Sequence, residues 1–249
     1  MSIPYLTKTL TTDDNHTIAC NHYKKGRQEV IVIAHGFYNN KDTILFKNIA
    51  ELFAEHFDVL SFDFRGHGKS TGFFSWTARE VYDLRSVIHH AKAERYKKIG
   101  VIGFSLGAAI GLIEASENQA IDSIIAVSAP YDVRDIDFCF WEQEMVSDLM
   151  LNIGPKGKGK GIRPGNPFLK KKTPLAVVAS IAPRPVLFLH GEKDWLIKPR
   201  HSERLYQAAR EPKEMQIIPQ AGHAEKIYDS FPQEFKQICL QWFARTLET

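Results

Sequence analysis

The chain has 249 residues, a length that fits one large α/β domain with a substantial core. Apolar residues make up 44% and charged residues 24%, both ordinary for a soluble globular protein. A formal net charge of +3 is too small to argue for a nucleic-acid or membrane partner, and no stretch approaches the roughly 18 consecutive apolar residues that span a bilayer.

Met1-Ser2-Ile3-Pro4-Tyr5 shows no basic region followed by an apolar run, so no signal peptide is expected. The three cysteines, Cys20, Cys139 and Cys239, are far apart and odd in number, so no disulfide framework is implied. Cys20 and Cys239 lie in apolar contexts that suit buried thiols. The expectation is a cytoplasmic protein of a reducing compartment.

In chain order, the first clear buried strand is Val30-Ile31-Val32-Ile33-Ala34, an unbroken apolar run ending at His35-Gly36. Ile44, Leu45, Ile49, Leu52 and Phe53 then recur at helical spacing. A strand over Val59-Leu60-Ser61-Phe62-Asp63-Phe64 is halted by Arg65-Gly66, and a long helix follows with Val81, Leu84, Ile88 and Ala91 on one stripe. Strand Ile99–Gly103 leads to a helix beginning near Leu106. Ile124–Val127 and Val186–Leu189 are the next strong strands. Between them the alternation breaks: residues 131–182 include Gly154-Pro155-Lys156-Gly157-Lys158-Gly159-Lys160-Gly161, which cannot bury a core. This stretch reads as a small cap over the carboxyl ends of the strands, with 1–130 and 183–249 as the core. A helix around 199–210, strand Met215–Ile218 and a closing helix with Phe235, Ile238, Trp242 and Phe243 complete the chain. Strands alternating with helices predict a mostly parallel sheet covered on both faces.

Gly103-Phe104-Ser105-Leu106-Gly107 is a G-x-S-x-G pentapeptide between an apolar strand and a helix former. A sharp strand-to-helix turn exposes the serine hydroxyl, and its glycines avoid collisions across the turn. The plainer alternative is that Ser105 only caps the following helix. A hydroxyl becomes nucleophilic when an imidazole takes its proton, and the imidazole needs a carboxylate to orient it. Downstream of Ser105 stand His190, His201 and His223. His223 lies in a loop just past the last strand, at the productive end of the sheet; His201 falls on a helix face expected to be solvated, and His190 ends a strand where it can bond to backbone. Asp194 follows strand 186–189 and can reach a histidine in the adjacent loop. Glu192 and Asp132 remain alternatives. The backbone N–H of Leu106, next after the serine, is an expected oxyanion donor.

The order Ser105, Asp194, His223, together with His35-Gly36 and Arg65-Gly66-His67-Gly68-Lys69-Ser70, resembles the α/β-hydrolase superfamily. It is similar in particular to the branch of monoacylglycerol lipases, serine aminopeptidase-like proteins and hydroxycinnamoyl esterases. The resemblance implies the α/β-hydrolase fold, Ser105, Asp194 and His223 as catalytic residues, and the amide of Phe37 as the second oxyanion donor. His35, Asp63 and Arg65 are expected to hold loops by hydrogen bonds. Phe37, Tyr38, Phe138, Phe140, Trp141 and Trp195 are expected to bind substrate, and Phe73, Phe74 and Trp76 crowd the same region. No clustered Cys, His and carboxylate set calls for a metal, and no cofactor is expected. The implied activity is a serine carboxylesterase acting on a small apolar or aromatic ester, with no nucleic-acid partner and no stable membrane insertion; a homodimer is left open. A thioesterase, peptidase or acyltransferase would use the same residues, and a silent binding protein on the same scaffold is the alternative class. The Lys/Gly-rich loop reads as solvated, or else as a lid edge that attracts anions.

Overall fold

The computed structural model describes residues 3–136 and 162–247. Eight strands form one sheet: β1 (Leu6–Thr11), β2 (Thr17–Tyr23), β3 (Glu29–Ala34), β4 (Asp58–Phe62), β5 (Lys98–Phe104), β6 (Ser123–Val127), β7 (Val186–Gly191) and β8 (Lys213–Ile218). Their spatial order is β1-β2-β4-β3-β5-β6-β7-β8. β2 runs antiparallel to both its neighbours, and the pairings from β4 through β8 are parallel. The described helices are α1 (Ile44–Ala54), α2 (Glu80–Ala93), α3 (Leu106–Glu117), α4 (Pro174–Val177), α5 (Arg200–Ala208), α6 (Lys226–Ser230) and α7 (Pro232–Leu247).

The unbroken apolar strands follow from burial on both faces. In β3, Val30, Val32 and Ala34 join one apolar cluster while Ile31 and Ile33 join another. The first cluster is closed by α2, α3 and α5 through Leu84, Val87, Ile88, Ala108, Ile110 and Leu205. The second is closed by α1 and α7 through Phe46, Ile49, Phe53, Phe235, Trp242 and Phe243. Val178 and Ile181, late in the 131–182 segment, also join the first cluster.

Two differences from the sequence reading concern the sheet. The hairpin β1–β2 was not expected from pattern, and β4 ends at Phe62 rather than Phe64. Asp63 leaves the ladder to accept from the amides of Lys41 and Lys69, at 2.8 and 2.9 Å. The buried ammonium of Lys41 lies 3.5 Å from the same carboxylate. Arg65, also buried, donates to both carboxylate oxygens of Asp14 and to Asp83, tying the β1–β2 turn to α2. These charge-assisted bonds pin the loops at the carboxyl ends of β3 and β4.

Candidate active site

The residue that joins β5 to α3 is Ser105, with φ 53° and ψ −117°. Such a positive φ is strained for a side chain with a Cβ and persists only where the surroundings impose it. The two flanking glycines show how tightly they do. A Cβ on Gly103 would sit 2.6 Å from Cα of Ala108, and one on Gly107 would meet the carbonyls of Ala34 and His35. The Ser105 hydroxyl caps no amide of α3, although the amides of Ala108 and Ala109 bond to its carbonyl. It donates instead to Nε2 of His223 at 3.0 Å.

His223 stands in the loop between β8 and α6, its side chain 12% exposed. Its Nδ1 lies 2.7 Å from Oδ2 of Asp194. With the carboxylate accepting from Nδ1–H, Nε2 is left as the acceptor for the serine proton. Asp194 lies in the turn after β7, its side chain fully buried. Its Oδ1 accepts from the amides of Leu196 and Ile197, at 3.1 and 2.8 Å. Burial alone would raise this carboxyl, but the facing imidazoles of His223 and His190 hold it well below the usual carboxylate range.

The alternatives for each role are placed elsewhere. Asp132 is engaged by the guanidinium of Arg134, with contacts between 2.6 and 3.1 Å. Glu192 accepts from Gln220. His190, at the end of β7, donates from Nε2 to the carbonyl of Ile197 at 2.6 Å, with Oδ2 of Asp194 at 3.2 Å. Its Nδ1 accepts from the Ser202 hydroxyl at 2.7 Å. His201 is buried, not solvated as its helix position suggested. It accepts from the amide of Tyr131 at 3.3 Å and stacks on that ring, because α5 packs this side inward.

The loop that follows β3 closes over the serine turn. A Cβ on Gly36 would lie 3.2 Å from the carbonyl of Phe104 and 3.4 Å from Cβ of Ser105, so this loop touches the turn itself. His35 fixes it, bonding from Nδ1 to the Gly36 carbonyl at 2.7 Å and accepting at Nε2 from the amide of Phe64 at 3.1 Å. Burial pushes the His35 imidazole down to about 4, against the raising effect of the Gly36 bond, so the ring stays neutral in this role. Among the described residues no backbone acceptor takes the amides of Phe37 or Leu106, and both residues line the cavity around Ser105.

That cavity measures about 880 Å³. Phe37, Tyr38, Trp76 and Trp195 line it. Phe37 packs against Tyr38, Phe74 and Trp76, with ring centroids 4.1, 5.0 and 4.9 Å apart. Phe74 is buried beneath this layer and Phe73 is exposed. Phe138, Phe140 and Trp141 lie outside the described residues. The sequence reading missed Asn39 and Glu225, whose side chains bond to each other at 2.7 Å in the cavity wall. Neither belongs to a recognisable pattern; the nearest signal is that Glu225 stands two residues past His223. Among the described residues no group of three or more His, Cys, Asp or Glu is placed to hold a metal ion.

A model of the alpha/beta hydrolase family matches residues 31–176. The uncharacterized protein YfhR of Escherichia coli O157:H7 is 26% identical over 205 residues, covering 80% of this chain. The uncharacterized protein YqkD of Bacillus subtilis is 29% identical over 210 residues, covering 78% of this chain. The matched region spans 64% of the length of each of these relatives. Among solved structures, the Pyrococcus furiosus esterase Pf2001 superimposes with a TM-score of 0.79 at 24% identity, covering 99% of this chain and 94% of that one. The Penicillium sp. sh18 alpha/beta hydrolase GrgF gives 0.79 at 20% identity, covering 99% and 100%. These structures share the fold, and the family match extends over more than half of the sequence: the chain belongs to the alpha/beta hydrolase family.

Proposed function

We propose that the chain is a serine carboxylesterase that cleaves apolar or aromatic esters through an acyl-enzyme. The observation that carries this reading is one continuous hydrogen-bonded line, Ser105 hydroxyl to His223 to Asp194, with links of 3.0 and 2.7 Å at the floor of an aromatic cavity. In the proposed reaction Ser105 Oγ attacks the ester carbonyl as His223 Nε2 takes its proton. Asp194 stabilises the imidazolium, and the amides of Leu106 and Phe37 receive the oxyanion. The C–O bond to the alcohol breaks as His223 returns the proton to the leaving oxygen. Water, activated by the same imidazole, then releases the acid and restores Ser105.

Phe37, Tyr38 and Trp195 are proposed to hold the apolar part of the ester. Residues 131–182 are proposed to act as a cap, since Val133, Ile136, Leu169 and Thr173 contribute to the cavity wall. The solved neighbour from Pyrococcus furiosus is itself called an esterase, which supports an ester over other acyl bonds. Among the described residues no helix is long and apolar enough to cross a membrane. Cys20 and Cys239 are free and buried, which supports a reducing compartment such as the cytoplasm.

A panel of para-nitrophenyl esters of varied chain length, with methyl ferulate and a monoacylglycerol, tests the activity. Turnover of at least one member should fall by roughly 10⁴–10⁶ in kcat for Ser105→Ala, with the circular dichroism unchanged. Retention of most activity by that variant would exclude Ser105 as nucleophile.

A further inference from the structure

The cavity around Ser105 and His223 is apolar in its aromatic wall but cationic where residues 167–173 and 133–136 meet it. Arg134, Lys170 and Lys171 line it, against one carboxylate, Glu225, among the described lining residues. Glu225 accepts from Asn39, and Arg134 is already bound by both oxygens of Asp132. Among the described residues, Lys170 and Lys171 are the remaining cations of that wall.

The three consecutive lysines have different surroundings. Thr173 caps α4 through the amide of Ala176, and Pro174 occupies the first helical turn, which sets the direction of the segment before it. Lys172 turns outward to pair with Glu117 of α3, at 2.5 Å. Lys170 is exposed at the rim. Lys171 is half-buried in the wall, and its ammonium donates to the neutral carbonyl of Pro167 at 2.8 Å. Among the described residues no carboxylate lies within ion-pairing distance of it. The charges that reach it are those of Glu80, Arg134 and Asp132. Glu80 is buried and occupied by Ser75 and Thr77, and Asp132 by Arg134.

An ammonium has three donors, and a cation withdrawn from water is destabilised unless a counter-charge or hydrogen bonds replace the lost hydration. Burial does push the Lys171 ammonium below its ordinary value. A purely apolar substrate would shield this group further and leave its donors unfilled. An anion on the substrate would fill them.

We infer that the ester cleaved at this site carries an anionic group, a carboxylate or a phosphate, held by Lys171 with Lys170 beside it. This inference rests on the esterase reading of the same cavity. It makes Lys171 a specificity-determining residue: the aromatic wall receives the hydrocarbon portion, and the 167–173 edge receives the charge. A charge-assisted hydrogen bond of this kind corresponds to roughly ten- to hundredfold in affinity.

Matched ester pairs test it. One pair sets the para-nitrophenyl half-ester of adipic acid, and its phosphonate-ended counterpart, against para-nitrophenyl hexanoate. The other places the charge on the leaving alcohol, setting meta-acetoxybenzoate against phenyl acetate. The wild-type chain should prefer the anionic member of at least one pair by roughly ten- to hundredfold in kcat/KM, chiefly through KM. Lys171→Met should abolish that preference, Lys171→Arg should retain most of it, and Lys170→Met should weaken it less. The preference should also shrink as salt is raised. The carboxylate and phosphonate arms show which anion is taken. Parity within both pairs in the wild type, or a preference that survives Lys171→Met, overturns the inference. If no ester turns over and Ser105 takes no fluorophosphonate, the esterase reading fails on its own. In that event adipate and inorganic phosphate are titrated against tryptophan fluorescence: saturable quenching lost in Lys171→Met upholds the anion site, and its absence overturns it.

Discussion

At the scale of single residues, Asp194 is the position where burial and charge pull hardest against each other. Its carboxylate is fully buried, yet it accepts from two amides and from His223, with Nε2 of His190 3.2 Å away. If the proposed triad operates, Asp194→Asn keeps the shape but removes the charge that selects the His223 tautomer, so kcat should fall by about 10⁴, the size of loss this change brings in serine proteases. Asp132→Asn, whose native partner is Arg134, should change kcat little, and the reverse ranking in steady-state kinetics would overturn the assignment of Asp194. His190 lies 3.2 Å from Oδ2, the same oxygen that His223 contacts, which suits a positioning residue. His190→Phe should lower kcat more than KM and shift the acidic limb of the pH–rate profile, because Asp194 loses one of the imidazoles that keep it ionised. An unchanged profile would reduce His190 to a packing role. Chain order and loop position single out Ser105 and His223 in the sequence and favour Asp194 over Glu192 and Asp132, and the fold brings these three side chains together. Lys171 was visible only as part of a run of lysines, since no one-dimensional pattern tells which of three neighbours turns inward. Lys41 carried no signal, and Glu225 only its place two residues past His223.

At the scale of elements, what could be read was what is buried on both faces. β3, β5, β6 and β7 are near-continuous apolar runs because helices cover both sides of the sheet. β1 escaped notice because Leu6–Thr11 is a half-exposed edge strand whose alternation is mostly polar. β2 escaped because its buried Asn21 and His22 interrupt the apolar pattern; Asn21 bonds to Asp42 and His22 Nε2 to Tyr96, partners that only the fold brings near. His201 was misplaced for a related reason: a helix surface histidine looks solvated until a neighbouring ring, Tyr131, covers it. The covering helices should be needed for stability rather than for chemistry. Phe243 of α7 is fully buried against Phe53 and Phe57. Phe243→Ala should cost about 3–5 kcal/mol in denaturant unfolding. A loss below about 1 kcal/mol would show that α7 contributes little to the core.

At the scale of the whole molecule, several neutral imidazoles are sealed inside the fold. Burial pushes His22 down to about 4, helped by the nearby His90. Burial likewise pushes His35 to about 4 and His67 to about 3. Each has a folded value below its ordinary 6.5, so the unfolded chain binds more protons between those limits. Their contribution to stability is complete above about pH 6.5 and is lost as the pH falls toward 4 and below. The buried Asp83 carboxyl, which burial pushes up to about 7, works against them in the same window. His67→Phe should therefore make the thermal midpoint fall less between pH 6.5 and pH 4 than in the wild type, and an unchanged slope would mean that this ring is hydrated in the folded chain. The Asp14 carboxyl acts in the same direction as the imidazoles at lower pH. Burial raises it, but the guanidinium of Arg65 brings it down to about 2, so the tie between the β1–β2 turn and α2 weakens last.

Every step of the proposed reaction begins with the strained serine between β5 and α3 acting as a nucleophile. Incubation of the intact chain with a fluorophosphonate, followed by intact mass and peptide mapping, tests it most directly. One covalent adduct should form rapidly on Ser105 in the wild type and be absent from Ser105→Ala and from His223→Ala. A folded wild-type chain that takes no adduct, or one that is labelled equally after Ser105→Ala, would contradict it.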